Sequence, residues 1–413
     1  MKLSARVLES PVYRRLWVSG IIYYSARWAE IITSGWTVLA LTGSPLFVGF
    51  TGFFRLLPMF ILGSLFGALA DRFPRVNILV GIQAVNLLAA LVLAMTFLLG
   101  VESLGIIYPM IFVLGCGSAA DFSARSTLID EVQDRSLLAS TMSLESLSMS
   151  GAKITSAIFA GFLLSAGGAG LAYGYLALLY GTGLIWIIAL KRRLPARRRA
   201  QTESLRLISS LHSGWGSALR LPVVRGVFIV TIIMNVLIFP YQQLIAIVAD
   251  DILSVGPFWM GVLAAADGVG GALTAAWLAF GAGTRRQGAL FVGGATGAAA
   301  LLIGLALSPV FALSLVIQLA LGICAGLFSV HQAALVLNAA PVESRARALG
   351  LIATAIGLTP IGMLLIGGLS SAAGAQAAIA TMAALGLIGL LLVAIFSPRL
   401  RAARIERTRP GDR

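Results

Sequence analysis

Three features of this 413-residue chain predict an all-α polytopic membrane protein with twelve transmembrane helices in two pseudo-symmetric six-helix bundles. Apolar runs of about 20 residues, the length a helix needs to cross the hydrocarbon core, recur twelve times along the sequence. Of the 30 lysines and arginines, 27 fall on one side if those runs cross alternately, the pattern expected when basic loops are retained in the cytoplasm. One long polar stretch then divides the runs six and six. At 59% hydrophobic and 11% charged, against about a quarter charged in soluble domains, the chain could not build a soluble surface.

The runs cover residues 16–41, 46–70, 77–99, 104–124, 137–165 and 170–190 in the first half. They cover 226–249, 257–281, 288–307, 309–336, 346–371 and 375–396 in the second. The third and fourth part at the Gly100 to Ser103 turn, and the ninth and tenth at Ser308-Pro309, where proline's fixed φ and missing donor favour a break. The segment Met1 to Arg15 is basic, and the run after it is too long and too polar at its centre for a cleaved signal. The first helix is therefore expected to remain, with both termini cytoplasmic.

The expected organisation is a bundle over 1–190, a basic linker over 191–225, a second bundle over 226–398 and a basic tail over 399–413. Within the linker, Leu205, Ile208, Leu211 and Trp215 recur at helical spacing. They read either as an amphipathic helix on the inner leaflet, held by anionic lipid headgroups, or as a solvated tether. A shift of about 210 residues sets Ser44 to Gly49 on Gly256 to Gly261, and Val132 to Arg135 on Val342 to Arg345, as duplicated halves would.

A net charge of +14 would suggest nucleic acid in a soluble protein. Here the basic residues lie between apolar runs and suit headgroups instead, so no nucleic-acid partner is expected. Cys116 and Cys324 sit inside apolar runs without metal-ligand neighbours and read as small packing residues. There is no phosphate-binding loop, metal cluster or nucleophile-base set. The chain is expected to be no enzyme, to need no cofactor and to act as a monomer.

Between the second and third runs stands Gly67-Ala68-Leu69-Ala70-Asp71-Arg72-Phe73-Pro74-Arg75. It resembles the signature loop of the major facilitator superfamily, with Pro74 and Val76 as departures. Gly67 would let two helices approach closely, Asp71 can pair at a neighbouring helix end, and Arg72 and Arg75 stay on the cytoplasmic side. The equivalent loop of the second half, Gly281 to Arg286, lacks the aspartate. The resemblance implies that Asp71 engages the inner end of the eleventh helix, at Arg345 or Arg347, when the inner side is closed. Leu16-Trp17, Trp36, Thr42-Gly43-Ser44 and Arg55-Leu56-Leu57-Pro58 resemble the branch of bacterial enterobactin exporters and macrolide efflux proteins. The efflux signature of the fifth helix is reduced here to Ser156-Ala157 before Gly161. The resemblance implies proton-coupled efflux of a small organic molecule across the bacterial inner membrane. A lipid or lysolipid flippase, an importer of the same fold and a non-transporting sensor are the alternatives.

Charges at bilayer depth cost a few kcal/mol and persist where they face a cavity or a partner. Only Arg27, Arg55 and Lys153 escape the positive-inside pattern. Arg27 and Glu30, three apart on one helical face, either pair with each other or flank a site where Glu30 exchanges a proton, its pKa biased downward by Arg27. Arg55 reads as structural. Lys153 lacks a local partner and is expected to meet Glu30 or substrate across a cavity. Asp267, deep in the second half, competes with Glu30 as proton carrier. Asp121 and Arg125, one turn apart, read as a gate pair coupled to the Asp71 loop. Because helices one, four, seven and ten line the cavity in the resembled superfamily, Asn235, Gln242, Gln243, Gln318, His331 and Gln332 are candidate pathway residues. His331 reads equally as a satisfied packing residue. Tyr23, Tyr24, Trp28, Phe239 and Tyr241 would line an amphipathic cavity or simply pack.

Overall fold

The computed structural model describes residues 7–133, 137–193, 219–280, 286–341 and 345–403. The first half opens with α1 (Pro11–Thr42), α2 (Pro45–Arg72), α3 (Arg75–Leu98) and α4 (Leu104–Val132). The helical stretch Leu138–Lys191 breaks at Gly167 and Gly168, giving α5 to residue 166 and α6 from residue 169. Gly168 holds φ +70, a conformation that side chains with a Cβ resist. In the second half, α7 fills the span Pro222–Ile252, followed by α8 (Pro257–Phe280), α9 (Gln287–Leu307) and α10 (Phe311–Ala339). Next come α11, in two pieces (Arg345–Gly357 and Thr359–Ala373), α12 (Ala375–Phe396) and the short α13 (Pro398–Ala402). Ten helices among the described residues are long and apolar enough to cross a membrane. That set counts α5 and α6 as one stretch and omits α1, whose run is interrupted by charge. With those two adjustments the twelve expected spans are all present.

The ends of these helices follow from local chemistry. Ser10 caps α1 by accepting from the Tyr13 N–H at 3.3 Å, and Pro11 starts the helix where no donor is needed. Ser103 caps α4 through the Gly105 N–H at 3.2 Å. Two helices of the second half are irregular. In α7, Met234–Ile238 is π-helical and Phe239–Leu244 is 3-10, because Pro240 cannot donate to the Val236 carbonyl one turn earlier. The α11 break falls at Leu358, just before Thr359-Pro360.

The helices alternate in direction, so the molecule has a face carrying the described chain ends and a distal face carrying the turns near Gly43, Gly100, Gly168, Gly256 and Gly374. In the first bundle α1 packs on α5 and α2 on α4; in the second α8 and α9 pack on α10. The two bundles meet along two seams, α2 against α11 and α5 against α8. Near the distal face each seam is closed glycine to glycine. A Cβ on Gly49 would stand 2.8 Å from the Met363 carbonyl oxygen and 2.9 Å from the Gly367 Cα. One on Gly161 would stand 3.2 Å from the Gly261 Cα and collide with the Pro257 carbonyl. Only glycine permits backbones this close.

Candidate functional site

Midway along the bundles the seams carry charge. In α2, six residues inward of Gly49, the Arg55 guanidinium meets Glu30 of α1 at 2.7 Å, with the side chains 11% and 2% exposed. Gly115 of α4 lies directly against the Arg55 backbone, so α2 and α4 approach closely there. In α8, six residues inward of Gly261, Asp267 forms an ion pair with Lys153 of α5. The Lys153 ammonium also lies over the Trp28 ring of α1, 4.6 Å from its centroid. Gly322 of α10 lies against the Asp267 backbone just as Gly115 does against Arg55.

Two sequence-based expectations are corrected by this arrangement. Glu30 is held by Arg55 rather than by Arg27, although Arg27 lies one turn away on the same helix. The Glu30 side chain points to α2, whereas the shared helical face of residues 27 and 30 spoke only for proximity along α1. Lys153, read as lacking a partner except Glu30 or substrate, has one in Asp267, supplied by the other bundle. Arg27 itself is half-buried and forms no hydrogen bond or ion pair among the described residues.

The polar residues of the second bundle mostly serve its own packing. Asn235 accepts from the Thr359 hydroxyl at 3.0 Å and donates to the Thr231 carbonyl at 2.9 Å, tying the π segment of α7 to the break in α11. Gln318 accepts from the Tyr241 hydroxyl at 2.9 Å, and Gln332 donates to Thr231 at 2.7 Å. His331 is buried, with Nδ1 at 2.7 Å from the Leu327 carbonyl of its own helix. Gln242 is half-buried beside Tyr241. Gln243 crosses the α2 seam to hydrogen-bond Thr51, and the Ser165 hydroxyl accepts from the Phe258 N–H at 3.1 Å across the other seam. Both cross-bundle bonds lie on the distal side of the ion pairs.

Toward the chain-end face the first bundle contains a buried polar network. Arg125 grips Asp121 with two hydrogen bonds of 2.9 and 2.8 Å and donates to the Leu16 carbonyl and the Ser19 hydroxyl, each at 3.2 Å. Its guanidinium also faces the Tyr23 and Tyr24 rings. Glu145 accepts from Tyr13 at 3.0 Å and from Tyr24 at 2.9 Å. Asp121 and Arg125 thus bind each other and α1, while Arg75 of the signature loop reaches Glu131 at the end of α4, at 2.7 Å. Arg72 is exposed beside Phe73. Arg345 is exposed, its Nε 3.3 Å from the Ala340 carbonyl. The side chains of Asp71 and Arg347, the surroundings of Gly67 and the linker residues 194–218 lie outside the described part of the structure. The expected latch and linker helix fall there.

Sequence reasoning missed the Tyr13–Glu145–Tyr24 set, the Asn235–Thr359 tie and the Lys153–Asp267 pair. For the last a faint signal existed, since an offset close to that of the repeat sets Gly49 on Gly261 and Arg55 on Asp267.

A family profile described as transmembrane secretion effector matches residues 4–410. No curated protein matches the chain. Among solved structures, the peptide-transporter-family protein PepTSo superposes with a TM-score of 0.76 at 11% identity, covering 95% of this chain and 98% of that one. The nucleoside transporter NupG gives 0.71 at 12% identity, with 93% and 100% covered. The human organic anion transporter MFSD10 gives 0.66 at 13% identity, with 94% and 99% covered. At these identities the likeness is one of fold.

Proposed function

This chain belongs to the transmembrane secretion effector family, and on that premise we propose that it is a proton-coupled exporter of a small organic molecule, working by alternating access. It is a secondary transporter of the major facilitator fold and not an enzyme. The observation that carries the proposal is the Lys153–Asp267 pair, a buried acid and a half-buried base joined across the bundles at mid-depth. Bundles that rock apart must separate these charges, and a lone ion left at that depth is costly. Protonation of Asp267 as the seam opens spares the carboxylate that cost, while the Lys153 ammonium keeps the Trp28 ring of its own bundle, so that opening the distal side is linked to proton uptake from that side. Glu30, bonded within its own bundle, is the second acid on the path.

In this reading the glycine seams close the outer side, and both chain termini are cytoplasmic, in a bacterial inner membrane. Asp71 latches onto Arg345 or Arg347 when the inner side closes. The basic linker rests on anionic headgroups, and the monomer is the working unit.

The direct test is accumulation of a fluorescent lipophilic dye in inverted vesicles on imposing a pH gradient. Export in exchange for protons requires accumulation that Asp267→Asn lowers by about tenfold or more, the effect expected if about 1.4 kcal/mol of coupling is lost. Accumulation indifferent to the gradient would leave facilitated movement or lipid flipping. Asp71→Asn should reduce transport while leaving the amount of folded protein unchanged; full activity in that variant would remove the latch from the scheme.

A further inference from the structure

Counting charge at mid-depth leads to the substrate. Three cations, Arg27, Arg55 and Lys153, share the middle of the bundles with two acids, Glu30 and Asp267. Both acids are already bonded, to Arg55 and to Lys153. Arg27 is left over, midway along α1 and half-buried. It stands one helical turn from Tyr23 and one turn from Glu30, both buried on α1, and the Tyr23 ring lies 6.3 Å from that of Tyr180. A guanidinium stays protonated under any physiological condition, and one at bilayer depth persists where it meets a counter-charge. Among the described residues none is supplied.

A second observation points the same way. The hydroxyl of Thr33, six residues further along α1 and 1% exposed, is buried with no hydrogen-bond partner. The stretch of α1 from residue 27 to 33 therefore offers one unspent positive charge and one buried hydroxyl free to donate.

We infer that Arg27 is the substrate-charge receptor and that the transported molecule is an aromatic organic anion, its carboxylate, sulfonate or phosphate paired with the Arg27 guanidinium. The planar fork of arginine matches such groups with two parallel hydrogen bonds. A singly charged bound anion would make the central charge neutral, which removes the penalty of carrying Arg27 through the membrane interior. This inference rests on the reading of the chain as a small-molecule transporter, but on neither proton coupling nor export.

The test is binding without any gradient, by thermal unfolding of the full chain in lipid nanodiscs. Naphthoate, naphthalenesulfonate and naphthyl phosphate are compared with neutral naphthamide and cationic naphthylmethylammonium. At least one of the three anions should raise the melting temperature while the amide and the ammonium do not. Arg27→Gln should weaken that anion by about tenfold or more, the range of a hydrogen-bonded charge. Arg27→Lys, which keeps the charge and loses the fork, should fall between, and carries the test if the glutamine variant does not fold. Equal stabilisation by naphthamide, no stabilisation by any anion, or unchanged anion binding in both Arg27 variants would each overturn the inference. Because no gradient is applied, failure here leaves proton-coupled export standing, and failure of gradient-driven accumulation leaves this binding result unaffected.

Discussion

The two seams between the bundles are built on one plan and finished differently. In each, a glycine near the distal end of one helix meets a glycine of its partner, Gly49 with Gly367 and Gly261 with Gly161. Six residues inward of the first glycine comes Arg55 or Asp267, and eight residues before the second comes Thr359 or Lys153. At the α5–α8 seam these two positions bond to each other across the bundles. At the α2–α11 seam they turn away, Arg55 to Glu30 and Thr359 to Asn235, each inside its own bundle. A contact within one bundle survives a rocking motion, and a contact between bundles must be broken by it. In the proposed rocking cycle the α5–α8 seam is therefore the side that would couple conformational change to charge, and the α2–α11 seam is the side on which charge serves architecture.

Glu30→Gln gives the largest effect that distinguishes the seams. It leaves Arg55 buried without its counter-charge, at a cost of about 3–5 kcal/mol in stability. Thermal unfolding should drop sharply, while spin-label distances between the bundles stay as in the parent. A change in those distances would mean that the Glu30–Arg55 pair also senses the motion.

Next in size, Gly161→Val or Gly261→Val overpacks a backbone contact, for which about 1–3 kcal/mol is typical. Here the bundles can relieve the clash by separating. Distances across the distal ends of α5 and α8 should lengthen with little loss in melting temperature. The same experiment at Gly49 should lengthen α2–α11 distances to a similar degree, since closure by glycine is common to both seams.

Asp267→Asn should shift the balance of conformations by about 1–2 kcal/mol, roughly tenfold in population, toward forms with the distal side open. The double exchange Lys153→Asp with Asp267→Lys should restore much of the parent distribution, because the pair and not either residue alone holds the seam. An exchange variant that behaves like Asp267→Asn would show that Asp267 acts without Lys153. Smallest of all, Thr51→Val removes the hydrogen bond from Gln243 at the α2 seam. It should cost about 1 kcal/mol in the distal-closed form, visible as a slight rise in distal-side accessibility.

How far the sequence reached can be read from the same residues. All twelve spans were legible, because crossing a bilayer demands long apolar runs and basic loops on one side, both of which are properties of contiguous sequence. The three exceptional cations were legible for the same reason. Their partners were not: Lys153 and Asp267 are separated by 114 positions, and Glu30 had two arginines to choose between. That choice depends on where α2 stands beside α1, which no spacing along α1 encodes. The Arg125 network was half legible, since Asp121 and Arg125 share a helical face, while Leu16, Ser19, Tyr24 and Glu145 come from helices that only the fold brings together. The irregularity of α7 could have been suspected from Pro240. Its bond to the equally interrupted α11 could not.

That bond has a mechanical consequence. The first bundle is braced by ion pairs and by a polar network around Arg125, and α1 runs through it unbroken for 32 residues. The second contains two neighbouring helices, α7 and α11, whose hydrogen-bond ladders are interrupted at matching levels and pinned together by Asn235 and Thr359. Turns of π and 3-10 type are less strongly held than α-helical ones and recur where a helix must yield. The pseudo-symmetry of the halves is thus one of shape and not of stiffness. In the proposed cycle between two faces, the first bundle would serve as the anvil and the second as the part that flexes against it.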